Sequence, residues 1–286
     1  MEALLFGVGA AVAYGFGDYA AAMTTRRTGV VRTSIGMQTI GLALYAAALV
    51  VLGRWPVLAW EQVPYALVLA ILGTVSLGLL YRAFAVGPIA VVSPVVASYA
   101  ALAILLVVVF LGERLTAGQT IAIAATFAGV VIASTDVREL RRTLGRPVEG
   151  VRIGVVATIG FALWSLVFSM GARATDALAL VVVLRLCGIA LLAVFVVARR
   201  VTLAPLASPS TLALVATVGA FDTGANVLLG LGIASGYASF VLTGSGAYPI
   251  IPAVLAMLVL RERLAPNQYA GVAILVAGLI ALGVQS

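Results

Sequence analysis

Ten apolar stretches succeed one another along this chain, separated by short polar breaks. A bilayer core about 30 Å thick takes roughly 20 residues of helix at about 1.5 Å per residue. Stretches of that order run near 3–23, 33–53, 64–83, 88–111, 118–135, 151–171, 177–198, 211–234, 237–260 and 267–284. The longest polar break, Asp136 to Gly150, carries Arg138, Glu139, Arg141, Arg142, Arg146 and Glu149 with Pro147. The pattern predicts ten transmembrane helices and a partly helical linker over 136–150.

The ten segments are two copies of five. Leu111-Gly112-Glu113-Arg114-Leu115 returns 149 residues later as Leu260-Arg261-Glu262-Arg263-Leu264. The same ungapped offset places Gly87 on Gly236, Tyr99 on Tyr248, Gln119 on Gln268, Ala128 on Ala277 and Gly129 on Gly278. The chain therefore divides into a first repeat at 1–135, the linker at 136–150 and a second repeat at 151–286. An odd number of spans per copy makes the second copy enter the membrane from the opposite side. That predicts an all-α integral membrane fold, a 5+5 inverted repeat around a central cavity, the arrangement on which alternating access is built.

Composition agrees. Hydrophobic residues are 63% of the chain, charged ones 9%, and the mean hydropathy is +1.20. Soluble domains run at about 45–50% apolar and about 25% charged, so this chain belongs in a bilayer. The net charge of +7 is no nucleic-acid signal, because every basic residue is Arg and nearly all lie between the apolar segments. Breaks 1–2, 3–4, 5–6, 7–8 and 9–10 hold thirteen Arg, and the alternate breaks hold only Arg54, Arg114 and Arg173. By the positive-inside rule the first set is cytoplasmic and both termini are outside. Only Met1 and Glu2 precede the first apolar run, which reads as a helix and not as a cleaved leader.

The single Cys187 and the absence of His leave no disulfide framework, no metal cluster and no nucleophile–base arrangement,. Gly7-Val8-Gly9 lacks the rest of a dinucleotide fingerprint. No metal, cofactor or enzymatic role is expected. Small residues at four-residue spacing (Gly7, Ala11 and Gly15; Ala125, Gly129 and Ala133; Ala273, Ala277 and Ala281) predict close helix packing,. Glu113-Arg114 and Glu262-Arg263 read as surface pairs that cap turns.

Candidate chemistry lies at mid-depth. The ninth segment carries Gly244, Gly246, Tyr248, Pro249 and Pro252, and the fourth carries Pro94 and Tyr99. Proline removes a helix hydrogen bond, and matching interruptions in both halves mark either a midplane site or packing kinks. Arg185 and Asp222 fall near the centres of the seventh and eighth segments, with Asn226 one turn beyond Asp222. A charge at the bilayer centre costs about 2.5–3.5 kcal/mol on insertion scales, so the two form a pair, either structural or holding a substrate's carboxylate or ammonium. Asp18 is either a proton-coupling carboxylate or an acid hydrogen-bonded near Arg26, Arg27 or Gln38. Tyr14, Tyr81, Tyr99, Trp164 and Tyr248 lie inside segments and not in interfacial belts. They are candidates to wall a cavity for a planar or cationic substrate, with core filling as the other reading.

These features resemble the drug/metabolite transporter superfamily, in particular its ten-helix bacterial EamA-like members. The resemblance rests on Gly112-Glu113-Arg114-Leu115 with Gln119 and Ala128-Gly129, on Arg261-Glu262-Arg263-Leu264 with Gln268 and Gly271, and on Ala85-Val86-Gly87-Pro88. It implies a cavity built from segments 1, 3, 4, 6, 8 and 9, and both termini in the cytoplasm, opposite to the Arg count. It further implies export or exchange of a small metabolite such as an amino acid, through the cell's inner (plasma) membrane. The alternative is a proton-coupled exporter of lipophilic or quaternary cations using Asp18, and the third a channel or membrane scaffold. The expected partners are a small-molecule substrate, lipid and, in the alternative, protons, with no nucleic acid.

Overall fold

A computed structural model describes the chain except residues 87–91, 93–94, 136, 139, 141–148, 249–250, 252–264 and 286, and the side chains of Ala22, Tyr81, Phe84, Ala85, Glu149 and Ala207. The described residues form ten α-helices and a short 3-10 turn (Ala204–Ala207). The helices are α1 (Glu2–Thr28), α2 (Val30–Val51), α3 (Gln62–Val86), α4 (Tyr99–Phe110), α5 (Ala117–Ser134), α6 (Glu149–Ala174), α7 (Ala177–Ala198), α8 (Pro209–Ser235), α9 (Ala238–Ser245) and α10 (Pro266–Val284). Eight are long and apolar enough to cross a membrane. The fourth is shorter, and most of the ninth segment beyond Ser245 lies outside the described residues.

Local chemistry sets the boundaries. Gly29, at φ 84°, separates α1 from α2 in a conformation that side chains disfavour,. Thr116 and Gln119 form a reciprocal capping box at the start of α5,. Asp176 accepts from the N–H groups of Leu178 and Ala179 at 2.8 and 3.0 Å, so α7 begins where the sequence places it,. Ser208 caps α8 just before Pro209,.

The packing obeys a two-fold exchange. α1 lies against α8 and α9, α3 against α6 and α7, α2 against α7 and α8, α4 against α6 and α9, and α5 against α10. Replacing each helix by the one five places on returns the same set. The α5–α10 contact shows the sense of the relation. A Cβ on Gly129 would lie 2.7 Å from Leu275 Cα, and one on Gly278 would lie 2.7 Å from the Thr126 nitrogen. Thr126 and Leu275 are themselves repeat partners. Gly118 meets Gln285 at one end and Gly271 meets Ala133 at the other, so α5 and α10 run antiparallel. The two halves are therefore inverted.

The repeated glutamines complete this seam. Gln119 accepts from the Thr116 N–H at 2.9 Å and donates to the Gln285 carbonyl at 2.9 Å. Gln268 accepts from the Ala265 N–H at 2.8 Å and donates to the Ala133 carbonyl at 3.2 Å. Each end of one helix is stapled to the opposite end of its twin. Lipid supplies no hydrophobic drive between helices, so backbone approach and hydrogen bonds must hold them.

One expected packing face is corrected. Ala273, Ala277 and Ala281 are exposed, and α10 buries Gly271, Leu275, Gly278 and Leu282 instead. The alanine stripe lies beside the glycine stripe, and only the residues without Cβ allow the close crossing. Gly7 and Gly15 do pack as expected, Gly7 against Val241 and Gly15 against Ile251.

Replacing Gly129 with leucine forces α5 and α10 apart. We expect a loss of about 1–3 kcal/mol or more, the usual range for overpacking, seen as a lowered melting temperature in detergent. Ala128→Leu, on the exposed side of the same helix, should change it little.

Candidate functional site

Helices α1 to α4 and α6 to α9 enclose a cavity of about 620 Å³, within the range of about 300–1,000 Å³ that suits small-molecule sites. α5 and α10 contribute nothing to its wall. Beyond the segments expected, α2 supplies Ser34 and Gln38, and α7 supplies Leu184 and Arg185. Val30, Leu80 and Phe195 line one end, where α2 begins and α3 and α7 finish, so the cavity extends toward the Arg-rich face. Leu229 and Leu242 mark the other end, and buried Phe168, Leu180, Ile233 and Val241 lie among the packed core below.

The polar centre is a three-helix cluster. Arg185 of α7 is 2% exposed and donates through one terminal nitrogen to Asp222 Oδ2 of α8 at 2.5 Å. Its other terminal nitrogen donates to Gln38 Oε1 of α2 at 2.7 Å. Gly188, one turn after Arg185, makes room for that amide, since a Cβ there would stand 2.7 Å from Gln38 Nε2. Asn226 donates to the Asp222 carbonyl at 2.8 Å and approaches Asp222 Oδ2 at 3.4 Å. The Asp222 side chain keeps 25% of its surface exposed while Arg185 keeps 2%. The carboxylate is thus the accessible partner and the guanidinium the buried one. Arg185 Nε and Asn226 Oδ1 are buried with no hydrogen-bond partner among the described residues.

Asp18 of α1 stands in the same wall. α1 and α8 touch here, with Phe16 stacked on Phe221 at 5.5 Å and the backbone of Gly17 close to Asp222. The Asp18 side chain is exposed to the cavity. It has no hydrogen-bond or ion-pair partner among the described residues: Gln38 engages Arg185 instead, and Arg26 and Arg27 are exposed. Among the described residues the ionisable side chains with acidic or basic groups lining the cavity are Asp18, Asp222 and Arg185, two acids to one base.

Tyrosines line the cavity beside these acids. Tyr248 lies 6.4 Å from Tyr14, edge to face, and 6.4 Å from Tyr99, while Tyr99 also meets Phe161 at 5.7 Å. Trp164 lines the cavity and stacks on Phe168 at 5.0 Å. The helix backbone ends at Ser245, with Gly246 to Tyr248 in a turn. Gly246 sits at this break. Gly244 serves packing, because a Cβ there would lie 2.8–2.9 Å from backbone atoms of α1. Pro94, Pro249, Pro252 and the Tyr81 side chain lie outside the described residues, as do Gly87, Pro88 and the second copy of the turn motif.

Of the residues expected at a site, Tyr14, Asp18, Tyr99, Trp164, Arg185, Asp222, Asn226 and Tyr248 all border this one cavity. One reading is overturned. Glu113 is not a surface residue paired with its neighbour Arg114. It is 6% exposed and joined to Arg173, sixty positions away.

The EamA-like transporter family model matches residues 1–135 and again residues 149–284. The chain belongs to the EamA-like transporter family. Its two family domains coincide with the two five-helix halves. A crystal structure 18% identical to this EamA-like chain superposes with a TM-score of 0.77 over 99% of both chains, a likeness of fold. No curated protein sequence matches at a significant level. The protein is thus a multi-pass membrane transporter with a small-molecule substrate, and not an enzyme.

The Arg185–Asp222 pair sets a double-mutant test. Removing one partner of a buried pair costs about 3–5 kcal/mol because the other charge is left uncompensated. Asp222→Ala and Arg185→Ala should each lower the melting temperature, and the double variant should recover part of the loss. Additive losses in a thermal-stability series would exclude the pairing.

Proposed function

We propose that this protein is a secondary active transporter that exports or exchanges a small amphipathic metabolite, such as an amino acid, by alternating access. The observation that carries the proposal is the mid-depth cavity, which extends toward the Arg-rich face and holds a buried ion pair with spare hydrogen-bonding atoms. Buried charge in a membrane is costly, and an apolar core would hold the helices without it. By the Arg distribution the open face is cytoplasmic, so this is the state that loads a substrate for outward movement across the inner (plasma) membrane. Asp222 and Asp18 would receive an ammonium, Arg185 a carboxylate, and Tyr14, Tyr99 and Tyr248 the apolar portion.

A second reading is a proton-coupled exporter of lipophilic or quaternary cations. Asp18, with no hydrogen-bond or ion-pair partner among the described residues, the two acids to one base and the three tyrosines favour it, since aromatic faces and a carboxylate attract cations,.

A thermal-shift screen over amino acids, sugars, nucleosides and quaternary amines tests the first reading. Amine-bearing ligands should stabilise the protein and neutral sugars should not; stabilisation by sugars alone contradicts the site assignment. In proteoliposomes an imposed pH difference should drive uptake of a stabilising quaternary amine. Asp18→Asn should abolish that drive while leaving ligand exchange. Flux indifferent to pH in the unmodified protein sinks the second reading.

A further inference from the structure

The cavity ends short of the Arg-poor face, and one buried side chain ties together the turns beyond it. Glu113 follows Gly112, whose φ of 67° turns the chain between α4 and α5,. One Glu113 oxygen accepts from the Ala238 N–H at 2.6 Å and the other from the Ser239 N–H at 3.1 Å. Those amides form the first turn of α9, where the helix dipole is positive. The same carboxylate pairs with Arg173 at the end of α6, and Arg173 donates to the Gly236 carbonyl at 3.0 Å. The α4–α5 turn, the end of α6 and the α8–α9 turn thus meet at one carboxylate, all on the Arg-poor face.

This set of bonds fits a latch better than a permanent staple. The Glu113 side chain is 1% exposed, but that of Arg173 is 29% exposed. The cation already reaches the surface, so a small outward movement hydrates both charges. A charge-assisted cluster of this kind is strong while closed and finds water once open. Arg114, the local neighbour, is exposed.

We propose that Glu113 is the gate residue that holds the Arg-poor mouth shut, gripping the start of α9 and Arg173. The proposal rests on the alternating-access reading above and adds the residue that holds one mouth closed.

The test uses full-length protein in proteoliposomes, with Cys187→Ala and a single reporter cysteine, Thr74→Cys, in the cavity wall. A membrane-impermeant maleimide is applied from each face. The parent should label chiefly from the Arg-rich face. Glu113→Gln should raise labelling from the Arg-poor face by about tenfold or more, the low end for losing a charged hydrogen bond. Arg173→Gln, at a partly exposed position, should do the same and serves if the glutamate variant does not fold. Arg114→Gln, at the exposed neighbouring position, should match the parent. Labelling unchanged from the Arg-poor face in both Glu113→Gln and Arg173→Gln overturns the gate, whatever the flux. Shifted labelling in a protein that exchanges no ligand leaves the gate standing and removes the transport reading.

Discussion

The antiparallel crossing of α5 and α10 is the constraint from which the rest follows. Two copies of a five-helix unit can share one membrane only if the second is upside down, and the crossing locks that relation at a seam of glycines. Gly129 lies on Leu275 and Gly278 lies on Thr126, so each contact is the image of the other. Because the seam takes α5 and α10 out of the cavity wall, the remaining eight helices are left to form a chamber with an approximate two-fold axis. Whatever one half does at one face, the other half can do at the opposite face.

The chamber's chemistry depends on where lipid is excluded. Arg185 could not be held at this depth alone; Asp222, Gln38 and the gap left by Gly188 together make its burial possible. The arrangement is asymmetric, with the guanidinium sunk in the wall and the carboxylates of Asp222 and Asp18 toward the open space. The wall therefore presents carboxyl groups and tyrosine rings. The cluster does not obey the two-fold, although the fold around it does.

Much of this was legible before any coordinates. Segment length alone placed ten helices, and the 177–198 segment coincides with α7 because Asp176 and the Arg199-Arg200 pair punctuate it so plainly. The repeat was legible because the residues that make the seam, Gln119, Gly129, Gln268 and Gly278, are the ones both copies retain. Three things were not. The alanines of α10 recur every four residues, as a packing stripe would, and only backbone distance shows that the neighbouring face of Gly271, Leu275 and Gly278 makes the contact. Gln38 is an ordinary polar residue until Gly188 is known to face it. Glu113 pairs with Arg114 on the sequence alone because sequence shows neighbours, whereas its partners Arg173, Ala238 and Ser239 come from other helices. Long-range pairing between turns leaves no local periodicity to find.

The central claim is that two inverted halves open one chamber to opposite faces in turn. Pulsed electron–electron distance measurements in lipid address it directly, using spin-label pairs at Thr25 and Val86 on the Arg-rich face and at their repeat equivalents Ala174 and Ser235 on the Arg-poor face. With a ligand identified by thermal shift, each pair should show two distances, and the population that shortens one should lengthen the other. Two pairs that open together, or one that stays fixed while ligand is exchanged, would contradict the account.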